Sequence, residues 1–414
     1  MRPGYKRTEV GVIPDEWDVV TAAELCELVV DCKNRTPPIS SSGSYGVVRT
    51  SNVRNGRFVR KDLRFTDLRS YREWTARAIP QAGDVLITRE APLGEVCAVP
   101  SDLHVCLGQR MMLYRPNPEL LNSGYLLNAL MSSKVQRRIQ EKIGGSTVGH
   151  ASVHDLRTAL LPLPPSNTEQ TAIAQAISDA ADLVDSLERL VAKKRQVKQG
   201  AMQELLTGKR RLPGFGDAWR CKCLSSLGTF LKGAGITKDE ASADGLPCVR
   251  YGEIYTQHHD YIRVFVTRIP PAVAATATRI RTGDILFAGS GETKEEIGKC
   301  VAFVGEYEAY AGGDIVILRV EDADSRFLGY FLNSGEINRQ KASYGQGDAV
   351  VHISATALGR IQGRFPPVPE QRAIASLLSD MDGEIEALEA KLDKARQIKQ
   401  GMMQELLTGR IRLV

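Results

Sequence analysis

The chain repeats itself. The segment RQVKQGAMQELLTG, from Arg195 to Gly208, returns as RQIKQGMMQELLTG, from Arg396 to Gly409, at an offset of 201 positions in a chain of 414 residues. The same offset carries Glu169-Gln170-x-Ala172-Ile173-Ala174 onto Glu370-Gln371-x-Ala373-Ile374-Ala375, Leu187-Glu188 onto Leu388-Glu389, and Arg49 onto Arg250, with no gap. Weaker matches drift by a few positions: Asp15-x-Trp17 with Asp217-x-Trp219, Gly83-Asp84 with Gly283-Asp284, and Gly124-Tyr125 with Gly329-Tyr330. A period near 200 is far above solenoid periods, so the sequence describes one module duplicated, not a repeat array. Each copy is a variable globular part followed by a well-matched helical segment.

The helical segments follow proline clusters, Pro162-Leu163-Pro164-Pro165 and Pro366-Pro367-Val368-Pro369, which close the preceding domain and set a helix start. Ser166 with Glu169 reads as a capping box. Apolar residues then run Ile173, Ile177, Ala180, Val184, Leu187, Val191 in one copy and Ile374, Leu378, Met381, Ile385, Leu388, Leu392 in the other. This four-three spacing predicts a coiled-coil seam. After a slip of three residues the expected seam continues through Val197, Ala201, Leu205 and Ile398, Met402, Leu406. Gly208 and Gly409 end the helices. Gly200 and Gly401, inside them, predict a close backbone approach at a helix crossing.

Between the helices lie short β-type runs bounded by turn residues, among them Asp84–Ile87, Met111–Tyr114, Asp284–Phe287 and Ile315–Leu318, with scattered helical stretches. The expected fold class is therefore α+β: two α+β domains, residues 1–165 and 211–367, alternating with helices over 166–210 and 368–414 that pair antiparallel as a pseudo-twofold tandem duplication. A hydrophobic share of 43% and a charged share of 25% fit a folded chain. No run approaches the roughly 20 apolar residues of a membrane span, and the first residues lack the apolar core of a signal peptide, so a cytoplasmic chain is expected. Eight cysteines without a Cys-x-x-Cys pair suit neither a disulfide framework nor zinc. A net charge of +5 permits a polyanionic partner without requiring one.

Catalytic patterns are weak. Phe287-Ala288-Gly289-Ser290-Gly291 resembles an S-adenosylmethionine loop, but no Asn/Asp-Pro-Pro-aromatic catalytic loop exists in the chain. Asp284 with Glu292-x-Lys294 could serve a metal-dependent nuclease, yet the first copy lacks the partner residues, and Gly-Asp before an apolar run is more simply a turn entering a strand. Gly298-Lys299-Cys300 fails as a phosphate loop.

Tyr5-Lys6-x-Thr8-Glu9-Val10-Gly11-Val12-Ile13-Pro14-x-x-Trp17, the Pro-Pro…Glu-Gln-x-Ala-Ile-Ala helix start and the twice-used Gln-Glu-Leu-Leu-Thr-Gly together resemble the DNA specificity (S) subunit of type I restriction-modification systems, over the whole chain and in order. The resemblance implies two target recognition domains held by spacer helices, and no catalysis by this chain. It implies recognition of an asymmetric bipartite site in double-stranded DNA. It further implies two methyltransferase (M) subunits that bind S-adenosylmethionine, two restriction (R) subunits that use ATP and Mg, no cofactor on this chain, no metal and no membrane. A noncatalytic scaffold with two protein-binding heads, or a stand-alone DNA methyltransferase, are the competing readings.

The family motifs do not locate base contacts. Side-chain chemistry does propose candidates, since Arg can bond a guanine edge twice, Asn and Gln an adenine edge, and Lys or Ser a phosphate. They are Arg49, Asn52, Arg54, Asn55, Arg57, Arg89, Ser146 and Thr147 in the first domain, and Arg250, Tyr255, Gln257, Ser290, Lys294 and Gln346 in the second. The basic runs 193–198 and 209–211 are phosphate contacts or solvated helix faces. Met202, Leu206, Met403 and Leu407 are candidate M-subunit anchors, or else more of the intramolecular core.

Overall fold

The computed structural model describes residues 3–141, 149–237, 239–242, 244–347 and 349–413. Its backbone is dominated by two helices of 39 residues each, Asn167–Leu205 and Val368–Leu406. At 1.5 Å per residue each is roughly 58 Å long. The chain divides into two compact units inside these helices rather than at their ends: Met1–Glu188 with Ala390–Val414, and Arg189–Glu389. Each unit therefore holds one globular domain, the first half of the helix that follows it, and the second half of the other long helix.

Within each unit the two helical segments run antiparallel. In unit 1, Glu169 meets Arg412 while Glu188 accepts from Arg396 at 2.7 Å. In unit 2, Arg211 meets Glu370 while Arg195 meets Glu389. The expected seam is buried at Ile173, Ile177, Val184 and Val191, and at Ile374, Leu378, Ile385 and Leu392. Each such side chain contributes roughly 1.5–3 kcal/mol through its removal from water. Past the slip the expectation fails in part. Val197 and Ile398 stand 48% and 52% exposed, and the buried face resumes at Leu205 and Leu406. Gly200 and Gly401 also depart from expectation, for a Cβ at either position would meet nothing within 4 Å. No backbone approaches them.

The helix ends are better read. Gly208 (φ +70°) and Gly409 (φ +64°) take the left-handed conformation that glycine adopts without strain. Each sits beneath a tryptophan of its unit, Trp219 and Trp17 respectively. At the first helix start the Ser166 hydroxyl accepts from the Glu169 N–H at 3.1 Å. The return half of the capping box is replaced, because the Glu169 carboxylate is held by Arg412.

The two globular domains share a plan. In the first, four antiparallel strands lie in the order Val96–Ala98, Val85–Thr88, Met111–Pro116, Cys26–Asp31, beside a smaller sheet in which Tyr45–Val48 pairs parallel with Val105–Leu107 and antiparallel with Arg64–Thr66. In the second, Gly228–Lys232, Ile315–Val320, Ile285–Ala288 and Cys300–Phe303 form the equivalent sheet, extended by Tyr261–Ile262. Leu246–Val249 again pairs parallel with Ala309–Ala311. Helical layers Ser123–Met131 and Ser325–Phe331 cover the larger sheets and meet the long helices. Ile173, Ile177, Leu406 and Leu407 enter the core of the first domain, and Leu205, Leu206, Ile374 and Leu378 that of the second. No described helix is long and apolar enough to cross a membrane.

Candidate nucleic-acid interface

The repeated Glu-Gln pair at each helix start is a joint with two separate functions. Glu169 and Glu370 are 1% and 0% exposed, which requires a counter-charge. It comes from an arginine just past the end of the other long helix. Arg412 serves Glu169, and Arg211 forms two bonds to Glu370 at 2.6 and 2.7 Å. Each arginine also lies over a tryptophan, Arg412 at 5.9 Å from Trp17 and Arg211 at 5.7 Å from Trp219. The neighbouring glutamines tie in the domain. Gln170 Oε1 accepts from Asn122 N at 2.8 Å and Gln371 Oε1 from Asp324 N at 2.9 Å, the residues that cap the covering helices. Arg211 and Arg412 are themselves 201 positions apart, so extending the repeat three residues past Gly409 would have found them.

Both domains also press an arginine onto a long helix. Arg57 pairs with Asp185 and donates to the Ala181 carbonyl at 3.2 Å, while Arg263 pairs with Glu386 and, at 3.4 Å, with Asp382. Asp185 and Glu386 are again 201 apart. Arg57, proposed from sequence as a base contact, thus braces its domain in the free chain.

The other candidates separate into braces and free side chains. Asn52 is fully buried, and its amide donates to Val59 O at 2.9 Å while Oδ1 accepts from Arg49 N. Arg49 donates to Asp62 O at 2.6 Å. Arg250 stands at the N-cap of the helix Tyr251–Thr256 and pairs with buried Glu253 at 2.9 Å. Arg89 is held by Ala151 O and His150. Ser290 is 3% exposed, bonded to His352 at 2.9 Å, and its carbonyl accepts from the Tyr255 hydroxyl, whose pKa burial pushes up to about 12. Arg54 (45% exposed side chain, 3.5 Å from Glu95), Asn55, Gln257, Lys294 and Gln346 remain at the surface. Ser146 and Thr147 lie outside the described residues. Leu206 (3%) and Leu407 (1%) belong to the domain cores, with Met202 and Met403 half-buried beside them.

The catalytic patterns dissolve on inspection. Asp284 is 1% exposed and held by Arg319 at 3.1 and 2.9 Å, as Asp84 is by Arg115 at 2.9 and 2.7 Å. Both carboxylates also close their turns, accepting from Arg281 N and Gln81 N at 2.8 Å. The Gly-Asp repeat is a strand-entering turn locked by an arginine from the neighbouring strand. Among the described residues no group of three His, Cys, Asp or Glu is placed to hold a metal ion. All eight cysteines are unpaired thiols, and burial pushes those of Cys97 and Cys106 up to about 12.

Two α+β domains of one plan, each joined to a pair of long helical segments, make up the chain. The family profile described as "Type I restriction modification DNA specificity domain" matches residues 14–199. The chain is 25% identical over 439 aligned residues to the putative type I restriction enzyme MjaX specificity subunit of Methanocaldococcus jannaschii, covering 99% of this chain and 97% of that one. It is 24% identical over 200 residues to the type I restriction enzyme EcoKI specificity subunit of Escherichia coli, covering 47% and 43%. Two solved structures share the fold. One is a type I restriction-modification S subunit from M. genitalium (TM-score 0.60, 15% identity, 94% of this chain and 96% of that one). The other is a chain from a type I R-M system (TM-score 0.57, 19% identity, 96% and 99%). Over nearly its whole length the chain is thus similar to type I restriction-modification DNA specificity subunits, and the family profile matches its first half.

Proposed function

We propose that each α+β domain reads one half of an asymmetric, bipartite site in double-stranded DNA, and that the paired helices set the gap between the halves. The supporting observation is the joint itself: two domains of unlike surface, each latched to both long helices by the same Glu–Arg–Trp and Gln pattern. Half-sites about one turn of B-DNA apart, roughly 34 Å and 10 base pairs, are expected for a dimer-like pair of readers. Arg54, Asn55, Gln257, Lys294 and Gln346 are the candidates with exposed polar ends suited to base edges or phosphates. Two M subunits carrying S-adenosylmethionine and two R subunits using ATP and Mg complete the assembly, in the cytoplasm. The repeat-related pairs Val197/Ile398 and Met202/Met403 supply apolar surface for two like partners.

The test is to map methylated adenines in host DNA before and after residues 20–160 are replaced by another recognition domain. One half-site is expected to change while the other and the gap survive. Change in both halves overturns the reading. Insertion of one helical turn near Val191 or Leu392 is expected to change the gap alone.

A further inference from the structure

The two domains are far from equal in charge. From Asp31 to Gly83 inclusive, the first domain carries eleven lysines and arginines against four acids, a net of +7 in a chain whose total is +5. The equivalent stretch of the second domain, Lys232 to Gly283, carries seven against five, a net of +2. The excess in the first domain is concentrated on one small lobe. It consists of the sheet of Tyr45–Val48, Arg64–Thr66 and Val105–Leu107 and the helix Leu68–Trp74, around Val47, Tyr71 and Cys106.

Within this lobe the fold neutralises some cations and leaves others. Lys33 and Arg35 share Glu73, at 2.8 and 2.7 Å, and flank the Trp74 ring at 4.8 and 5.0 Å. Arg60 pairs with Asp102 and Arg77 with Asp31, each at 2.7 Å. Lys61, Arg64, Arg69 and Arg72 are exposed and form no ion pair among the described residues. Arg69 and Arg72 stand three residues apart on one face of the helix, opposite buried Ser70 and Tyr71. Like charges at that spacing cost a few tenths of a kcal/mol. Asp67 at the helix start acts on Arg69 electrostatically, but neither arginine forms an ion pair among the described residues, and a polyanion would offset the remaining repulsion. In the second domain exposed Asp239, Glu240 and Asp244 stand among the cations instead.

Resting on the DNA-reading function above, we propose that this lobe of the first domain is the chain's main anchor on the DNA phosphate backbone, through Lys61, Arg64, Arg69 and Arg72, and that the second domain binds with a much smaller electrostatic share. Phosphate contacts position a protein without reading sequence. The first domain therefore contributes affinity that survives base changes in its half-site, and the second depends more on its base contacts.

The experiment measures binding of the full chain to a random-sequence duplex as a function of salt. Each phosphate contact contributes about 0.9 to the slope of log K against log salt. The triple variant Arg64→Gln/Arg69→Gln/Arg72→Gln is expected to flatten that slope by roughly 2 to 3. The matched triple Lys232→Gln/Arg268→Gln/Arg281→Gln is expected to flatten it by less than about 1. All six residues lie at or near the surface, and an unchanged thermal midpoint verifies the fold; the single variant Arg64→Gln, with an expected change of about 0.9, reads the same quantity if a triple is unstable. Equal changes from the two triples, or a larger one from the second, overturn the anchor while leaving DNA recognition standing. A wild-type chain whose binding to duplex DNA, alone and with its M partner, shows no salt dependence overturns both.

Discussion

The joint between domain and helices is built differently in the two units. In unit 1, Ala181 faces the domain and offers only its carbonyl to Arg57, while the buried Tyr125 hydroxyl finds Pro162 O at 2.7 Å. Packing of Ile173 and Ile177 with Leu406 and Leu407 closes the rest. In unit 2 the position 201 further on is Asp382, 9% exposed. It accepts from the Tyr330 hydroxyl and pairs with Lys198, both at 2.6 Å, and with Arg263 at 3.4 Å; Lys198 reaches on to Asp260 at 3.3 Å. Burial pushes the Asp260 carboxyl up even though Lys198 favours its charged form, and burial with Asp382 raises the Tyr330 hydroxyl. Asp382, where unit 1 has Ala181, thus gathers a larger ion cluster beside the arginine brace that both units share. Inside a protein such a node is rigid while every member is satisfied and costly when one is removed.

The two latches differ as well, and this gives the largest expected effect. Trp219 Nε1 donates to Glu370 at 3.2 Å, whereas Trp17 Nε1 is buried without a partner. Arg412→Ala leaves buried Glu169 with no counter-charge and is expected to destabilise unit 1 by about 3–5 kcal/mol. Arg211→Ala leaves Glu370 its tryptophan donor and is expected to cost less. Hydrogen exchange over the two helix starts measures both, and equal losses would show that the tryptophan bond carries no weight.

Next comes the ionic joint. Asp382→Ala leaves the Tyr330 hydroxyl without its acceptor and Lys198 with Asp260 alone, and is expected to cost unit 2 about 3 kcal/mol. Arg57→Ala in unit 1 removes a pair whose arginine is 41% exposed, and less than about 1 kcal/mol is expected. Denaturant unfolding followed separately in the two units sharpens or erases this contrast.

A third difference is Lys341 of unit 2, 1% exposed and bonded to Gly298 O at 2.8 Å, with the Cys300 thiol nearby and no carboxylate partner among the described residues. Burial lowers its pKa to about 8. Because the folded value lies below the unfolded one, its stabilising contribution is full above the unfolded pKa near 10.5 and is lost as pH falls to about 8. Unit 2 is expected to gain about 1.4 kcal/mol per pH unit across that window from this group, and Lys341→Met to abolish that increment. Parallel pH–stability curves for the two proteins would refute it.

The smallest effect is shared. Gly200→Ala and Gly401→Ala fill open space on regular helix, so each is expected to stabilise its unit by about 1 kcal/mol and to raise the melting temperature. A loss in either would reveal a use for the glycine that the free chain does not show.

The candidate site was only partly legible in the sequence, for reasons that particular residues make plain. Asn52, Arg250 and Ser290 sit between strands and look like loop side chains, but they saturate buried backbone and carboxylate groups. Residue type announces hydrogen-bonding capacity and not the direction in which it is spent. Arg57 looked free because its partner Asp185 is 128 positions away and sits on a helix face. The charge excess of the first domain could be counted from the sequence. Which cations stay unpaired could not, since that depends on where Glu73, Asp102 and Asp31 are brought by the fold.

By itself the sequence determined the duplication, the two long helices, the seam of their first halves and their glycine ends, because periodicity and local backbone preference act over a few neighbouring residues. Tertiary structure alone decided that the helix halves are shared crosswise between units, that Glu169 and Glu370 find their arginines at the far end of the other helix, and that Asp382 collects an ion cluster where Ala181 does not. Those outcomes rest on burying charge, and a buried charge is satisfied by whatever the fold places within about 3 Å, however distant in sequence.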